Sequence, residues 1–174
     1  MDTLEKLKSA VRDIPDFPKK GIVFKDITPI LASGELFHAA VEWLAALYRG
    51  KQVDTIVGID ARGFIFAGAV AANLKLGMVP VRKKGKLPSK CESLNYELEY
   101  GSSSLEVHAD AFKPGARVVI IDDLLATGGT AAAAAKLIER VGGKVVGITF
   151  LIELTFLDGR KRLNGYPITS AIQY

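Results

Sequence analysis

Cysteine occurs once in the 174 residues, at Cys91, so the chain can form neither an internal disulfide nor a cysteine-based zinc cage. Histidine occurs twice. His38 reads as a helix-surface residue and His108 as a ribbon residue, neither in a recognisable motif, so a thiol nucleophile would have no evident base. Long apolar runs are also missing. The longest, Phe64 to Ala72, falls far short of the roughly 20 residues that a membrane-spanning helix needs. Met1 to Val11 mixes Asp2, Glu5, Lys6 and Lys8 among its apolar residues and so lacks the core of a signal peptide. A reducing cytoplasm is the expected compartment. Neither GxxxxGK[ST] nor GxGxxG occurs, which removes the main support for a nucleoside-triphosphatase or a dinucleotide-binding protein. No repeat, low-complexity tract or linker divides the chain, and a single α/β domain over residues 1–174 is expected.

What is present is a modest excess of cations, 23 Lys and Arg against 19 Asp and Glu. Much of it lies in Arg82, Lys83, Lys84, Lys86 and Lys90. A surplus of this size suits an anionic partner without choosing between nucleic acid, membrane surface and a phosphorylated metabolite. No aromatic interleaves these five cations, so the stretch is a poor base-stacking platform. Phosphate neutralisation is the better reading, with a plain solvated loop or a nucleic-acid patch as the alternatives.

Periodicity predicts the elements. Leu4, Leu7, Val11 and Ile14 share a helical face behind an Asp2/Glu5 capping box, and Pro15 and Pro18 end it. A second helix runs from Leu36 to Tyr48, closing near Gly50. Thr55–Ile59 reads as a strand, Gly63–Leu76 as a helix and Met78–Val81 as a strand. Leu94, Tyr96, Leu98 and Tyr100, then Leu105, Val107 and Ala109, alternate with polar residues about Gly101-Ser102-Ser103, as an inserted antiparallel ribbon does. A buried strand at Val118–Ile121, a helix from Thr130 to Val141 and a strand at Val145–Leu151 follow. Such alternation implies a parallel sheet, with ligands beyond the carboxyl ends of its strands.

The sharpest signal is Val118-Val119-Ile120-Ile121-Asp122-Asp123-Leu124-Leu125-Ala126-Thr127-Gly128-Gly129-Thr130. It reads as a buried strand, two carboxylates at its end, a small-residue turn and a helix start. Gly128 and Gly129 let backbone N–H groups converge on an anion, Thr127 and Thr130 add hydroxyls, and the helix contributes about half a positive charge. Asp122 and Asp123 would repel a phosphate but can accept hydrogen bonds from sugar hydroxyls. A sugar phosphate satisfies both halves.

This string resembles the phosphoribosyl pyrophosphate (PRPP) motif of type I phosphoribosyltransferases. The adenine-specific branch is matched further by Asp16-Phe17-Pro18, Gly21-Ile22-Val23-Phe24-Lys25-Asp26-Ile27-Thr28, Gly58-Ile59-Asp60-Ala61-Arg62-Gly63-Phe64, Arg82-Lys83-Lys84-Gly85-Lys86-Leu87-Pro88 and Tyr96-Glu97-Leu98-Glu99-Tyr100-Gly101. The resemblance implies the type I fold: a central, mostly parallel sheet flanked by helices, an adenine-binding segment within residues 1–35 and a mobile β-ribbon within 86–110. It implies transfer of ribose 5-phosphate from PRPP to N9 of adenine, giving AMP and pyrophosphate, with Mg²⁺ carried mainly by PRPP and no direct protein ligand to the metal assigned. A homodimer is implied too.

The resemblance also implies roles. Ala126, Thr127, Gly128, Gly129 and Thr130 would hold the 5′-phosphate, and Asp122 and Asp123 the ribose hydroxyls and the positive charge that develops on the sugar. Asp60, Ala61, Arg62 and Gly63 would form the pyrophosphate loop, often built on a non-proline cis peptide, with Arg82, Lys83 and Lys86 assisting. Val23 and Lys25 would read the adenine edge through their backbones while Phe24 stacks on the base. Lys25 stands where relatives often carry arginine. Glu99 is the candidate acid or base, with Tyr96 and Tyr100 as ribbon contacts. Blander readings stay open beside these: Arg62 as an exposed helix-start cation, Phe24 as a core residue, and the Tyr/Glu alternation as amphipathic patterning. For the whole chain the rivals are another base, a PRPP-sensing regulator and a plain nucleotide-binding module.

Overall fold

The computed structural model describes residues 2–98 and 101–174. The first helix, α1 (Thr3–Ala10), opens on the expected capping box of Asp2 and Glu5. It stops sooner than its apolar spacing suggests. Val11 is extended, and Arg12–Pro15 form β1, paired antiparallel with β2 (Val23–Asp26) so that Ile14 lies opposite Phe24. Pro15 keeps Ile14 out of the helical region, and the pairing of Arg12–Pro15 with β2 takes the residues before it out of the helix as well. Asp26 then fixes the ribbon, accepting from Arg12 Nη2 at 2.6 Å and from the Thr28 backbone N–H at 2.9 Å.

The short α2 (Thr28–Ala32), which periodicity does not reveal, leads into α3 (Gly34–Ala46), whose first turn donates the Leu36 N–H to Ser33 Oγ. The expected alternation follows as β3 (Thr55–Ile59), α4 (Gly63–Leu74) and β4 (Gly77–Lys83). Helix α4 ends two residues before Leu76, where Lys75 turns left-handed at φ +57°. The inserted ribbon is β5 (Cys91–Leu98) and β6 (Gly101–His108). Then come β7 (Arg117–Leu125), α5 (Gly129–Arg140), β8 (Lys144–Glu153), a 3₁₀ turn at Gly159–Leu163 and β9 (Ile168–Gln173). Strand β7 runs on through both acids to Leu125, so Asp122 and Asp123 belong to the ladder.

Among the described residues seven strands form one sheet in the order β5-β6-β4-β3-β7-β8-β9, and β1-β2 form a separate pair. Strands β3, β4, β7, β8 and β9 are parallel; β6 adds antiparallel to β4 through Arg82–Glu106 and Lys83–Leu105. Each face carries an apolar layer. Val119 and Ile121 join one with Phe66, Ala67 and Val70 of α4, while Val118 and Ile120 join the other with Ala134, Leu137 and Ile138 of α5. Burial on both faces is why β7 reads as an unbroken apolar run. The chain leaves β3 towards β4 and leaves β7 towards β8, in opposite directions along the sheet. The crevice between the carboxyl ends of β3 and β7 is therefore the topological switch point, where ligands bind in open α/β sheets. No described helix is long and apolar enough to cross a membrane.

Candidate active site

A cavity of about 250 Å³ opens at this switch point, lined by residues 59–62 after β3, 122–131 from the end of β7 into α5, and Phe150 of β8. Three segments distant in sequence meet here because their strands are neighbours. Residues 126–130 form a turn in which Gly128 takes φ +81°, a conformation that costs a side chain about 1 kcal/mol or more. The N–H groups of the first turn of α5 open onto the cavity without a side-chain cap.

The acid pair sits against the start of α4. Arg62, at the N-cap of α4, brings Nη2 to 2.8 Å from Asp123 Oδ2. The angle does not make a hydrogen bond, so Oδ2 is buried with no donor among the described residues. Asp122 Oδ1 accepts the Asp123 backbone N–H at 2.9 Å and lies so close to Gly63 that a Cβ there would overlap it. Burial, and then the neighbouring Asp123 charge, pushes the Asp122 carboxyl well above the usual carboxylate range. Burial raises Asp123 as well, with the Arg62 charge opposing it. An ungratified buried carboxylate oxygen beside a like charge is poised to accept from hydroxyl groups.

The remaining groups converge less uniformly. The Asp60–Ala61 peptide is cis. Asp60 is paired with Arg82, whose Nε stands 3.1 Å from Asp60 Oδ2 and whose Nη1 donates to the Lys86 carbonyl. Arg82 thus reaches the cavity only through Asp60, and Lys83 and Lys86 are exposed outside its walls. Phe24 belongs to neither apolar layer; it meets Phe17 edge-on at 5.2 Å and carries the Arg62 guanidinium 5.1 Å from its ring centre. Arg62 is therefore the link between the β1–β2 ribbon and the acid pair. Val23 is exposed. The Lys25 ammonium is turned elsewhere, 2.6 Å from Asp13 and 3.9 Å from the centre of the Tyr174 ring. Tyr96 reaches the helix start, its hydroxyl 3.3 Å from Thr130 Oγ1. Glu99 and Tyr100 lie outside the described residues.

The phosphoribosyl transferase domain model matches residues 26–167, which include the cavity and most of the sheet. The adenine phosphoribosyltransferase of Thermoanaerobacter pseudethanolicus is 57% identical over 172 residues, 99% of each chain. The chain belongs to the adenine phosphoribosyltransferase family. The crystal structure from that same organism superposes with a TM-score of 0.96, covering 98% of this chain and 99% of that one. The Saccharomyces cerevisiae adenine phosphoribosyltransferase, complexed with D-2,5-dideoxy-2,5-imino-altritol 1,6-bisphosphate and adenine, is 40% identical with a TM-score of 0.92, covering 97% of this chain and 98% of that one. The type I fold expected from the sequence is the fold of this phosphoribosyltransferase.

Sequence reasoning missed several groups that hold this site together. Glu153, at the end of β8, is buried and takes two Arg160 nitrogens at 2.7 Å each, plus Ser170 Oγ at 2.6 Å. The Arg160 hydrogen bonds, then that of Ser170, hold its carboxyl below the usual range. This pair seats the Gly159–Leu163 turn directly behind Gly128. Only the acidic residue at a strand end hinted at it. Asp26 is likewise legible only in three dimensions. Hydrogen bonds from Thr28 and Arg12 lower its pKa to about 2. A depressed carboxylate pKa stabilises above the ordinary carboxylate range and loses that stabilisation as pH falls through about 2. The ribbon bearing Phe24 should accordingly stay docked in mild acid. Asp26→Asn should release it at neutral pH, raising KM for adenine several-fold and exposing residues 16–22 to proteolysis, with KM for PRPP unchanged.

Proposed function

We propose that the chain transfers ribose 5-phosphate from PRPP to N9 of adenine, producing AMP and pyrophosphate. One observation carries the reading: an uncapped glycine turn, the half-buried Asp122 and the buried Asp123 face the same cavity, the pairing that a phosphorylated ribose demands. Adenine held by the yeast relative supports the choice of base. The bond from the anomeric carbon to the pyrophosphate oxygen breaks as the bond to N9 forms, and N9 gives up its proton. Positive charge gathers on the sugar and negative charge on pyrophosphate. Asp122 and Asp123, held at the ribose by Arg62 and Gly63, would stabilise the first. The Asp60–Arg62 loop and the start of α4 would receive the second.

Among the described residues no three His, Cys, Asp or Glu side chains gather as a metal cage. The donor set instead fits a Mg²⁺ carried by the substrate, since this ion takes one or two carboxylates and fills its shell with phosphate oxygens and water. Asp122 and Asp123 are the carboxylates within reach, and bound Mg²⁺ would supply charge neutralisation of pyrophosphate. Glu99 and Tyr100 would complete the site from the ribbon, as the residues that manage the proton and contact the base. Backbone readout at Val23 and Lys25 would disfavour a 6-oxopurine by leaving polar groups unpaired. A single domain acting as a cytoplasmic homodimer belongs to the same reading.

Mixing protein, Mg²⁺ and PRPP with adenine, hypoxanthine, guanine or xanthine tests it. AMP and pyrophosphate should form with adenine, at least a hundredfold faster than any product from the others. Preference for hypoxanthine or guanine would overturn the base assignment. No pyrophosphate with any base, together with salt-sensitive binding of nucleic acid, would point to a regulator.

A further inference from the structure

A 5′-phosphate carries close to two negative charges, and the turn proposed to hold it stands beside two carboxylates. Against that, the start of α5 supplies about half a positive charge and some N–H groups. Among the described residues of the cavity wall the one cation is Arg62, already committed to Asp123 and Phe24. A second cation stands just outside. Arg162, from the 3₁₀ turn at Gly159–Leu163, places Nη1 only 3.2 Å from where a Cβ on Gly129 would be, the first residue of α5. Its neighbours in that turn are engaged: Arg160 with Glu153 and Lys161 with Asp158. The Arg162 side chain is exposed and makes no ion pair or hydrogen bond among the described residues. A second approach converges at the same point, where the Glu97 carbonyl lies 3.5 Å and the Tyr96 ring 3.9 Å from that Cβ position.

We infer that Arg162 is a 5′-phosphate ligand, closing the outer side of the Ala126–Thr130 turn. The inference rests on the reading of that turn as the phosphate seat. Phosphate oxygens accept charge-assisted hydrogen bonds from a guanidinium, which forks to two of them at once. The Glu153–Arg160 pair fixes the base of the 3₁₀ turn, so Arg162 has only its own side chain to order on binding. No sequence motif signals it, because it follows Gly129 by 33 positions and reaches it only through the packing of Gly159 on the turn.

The test compares AMP with adenosine, which differ by the phosphate alone, in calorimetric binding to wild type, Arg162→Ala and Arg162→Lys. Arg162→Ala should weaken AMP about tenfold, the effect of one charge-assisted hydrogen bond, and adenosine less than twofold. Arg162→Lys should recover part of the loss. Equal weakening of AMP and adenosine would show a merely structural role and overturn the inference, as would an unchanged affinity for AMP. Wild type binding AMP no more tightly than adenosine would overturn the phosphate seat itself, and Arg162's role with it.

Discussion

Exchanging Asp122 and Asp123 together for asparagine should lower kcat/KM by about a thousandfold or more while leaving Tm at neutral pH unchanged or raised. The two halves of this expectation have one cause. The two carboxyls stand beside one another at the end of β7, Asp123 buried and Asp122 half-buried, and loss of water raises the pKa of each in the folded chain. A carboxyl raised above its unfolded value contributes its stability fully below the ordinary carboxylate range and loses it as pH rises through the raised value. As pH rises towards neutrality the folded protein therefore carries a repulsion that asparagine relieves. The advantage of the variant in Tm should grow between mildly acidic and mildly alkaline pH. Turnover should move the other way, because the charge that burdens the folded protein is the charge proposed to meet the developing cation on the sugar. Removing a positioned electrostatic group costs about 10²–10³ in rate, and here two go together. Thermal melts across pH with initial rates at saturating adenine would measure both. A variant that unfolds outright, or one that keeps wild-type turnover, would contradict the role given to these acids.

The same acids show what a sequence can and cannot disclose. Val118 to Ile121 announce themselves because both faces of β7 are buried, and the residues that follow inherit their position from that strand. Thr55–Ile59 is legible for the same reason. The β1–β2 ribbon is not: Arg12–Pro15 and Val23–Asp26 are four residues each, half of them charged, and Ile14 fits the helical spacing of α1. Their pairing depends on Asp26 meeting Arg12 and Thr28, contacts that no local pattern encodes. Strand β9, Ile-Thr-Ser-Ala-Ile-Gln, is an edge strand with small and polar residues and gives almost no signal of its own. Within the site, the residues contributed by the motif were visible, whereas those that brace it were not. Tyr174 under Lys25, marked by neither periodicity nor motif, is one such brace; Glu153, Gly159 and Arg162 are others. Each acts through contact between segments that the sheet order brings together.

Replacing Gly159 with alanine should therefore damage a site that the residue never enters. A Cβ at Gly159 would overlap the Ala126 carbonyl and come within 2.9 Å of Leu125 Cδ1, while the Gly159 carbonyl already occupies the space where a Cβ on Gly128 would go. The two backbones are in direct contact, so neither a rotamer change nor a flexible neighbour can absorb the added atom. Something must shift, and the Glu153–Arg160 pair resists movement of the 3₁₀ turn. The turn at Ala126–Thr130 is then the part that yields. Overpacking of this kind costs about 1–3 kcal/mol in stability, and it should raise KM for PRPP about tenfold while KM for adenine, whose proposed seat is the β1–β2 ribbon, stays within twofold. Lys161→Ala, two residues along the same turn and paired only with exposed Asp158, should change neither constant. If Gly159→Ala lowers Tm yet leaves KM for PRPP at its wild-type value, the turn behind Gly128 is a support for the fold alone, and the phosphate seat does not depend on it.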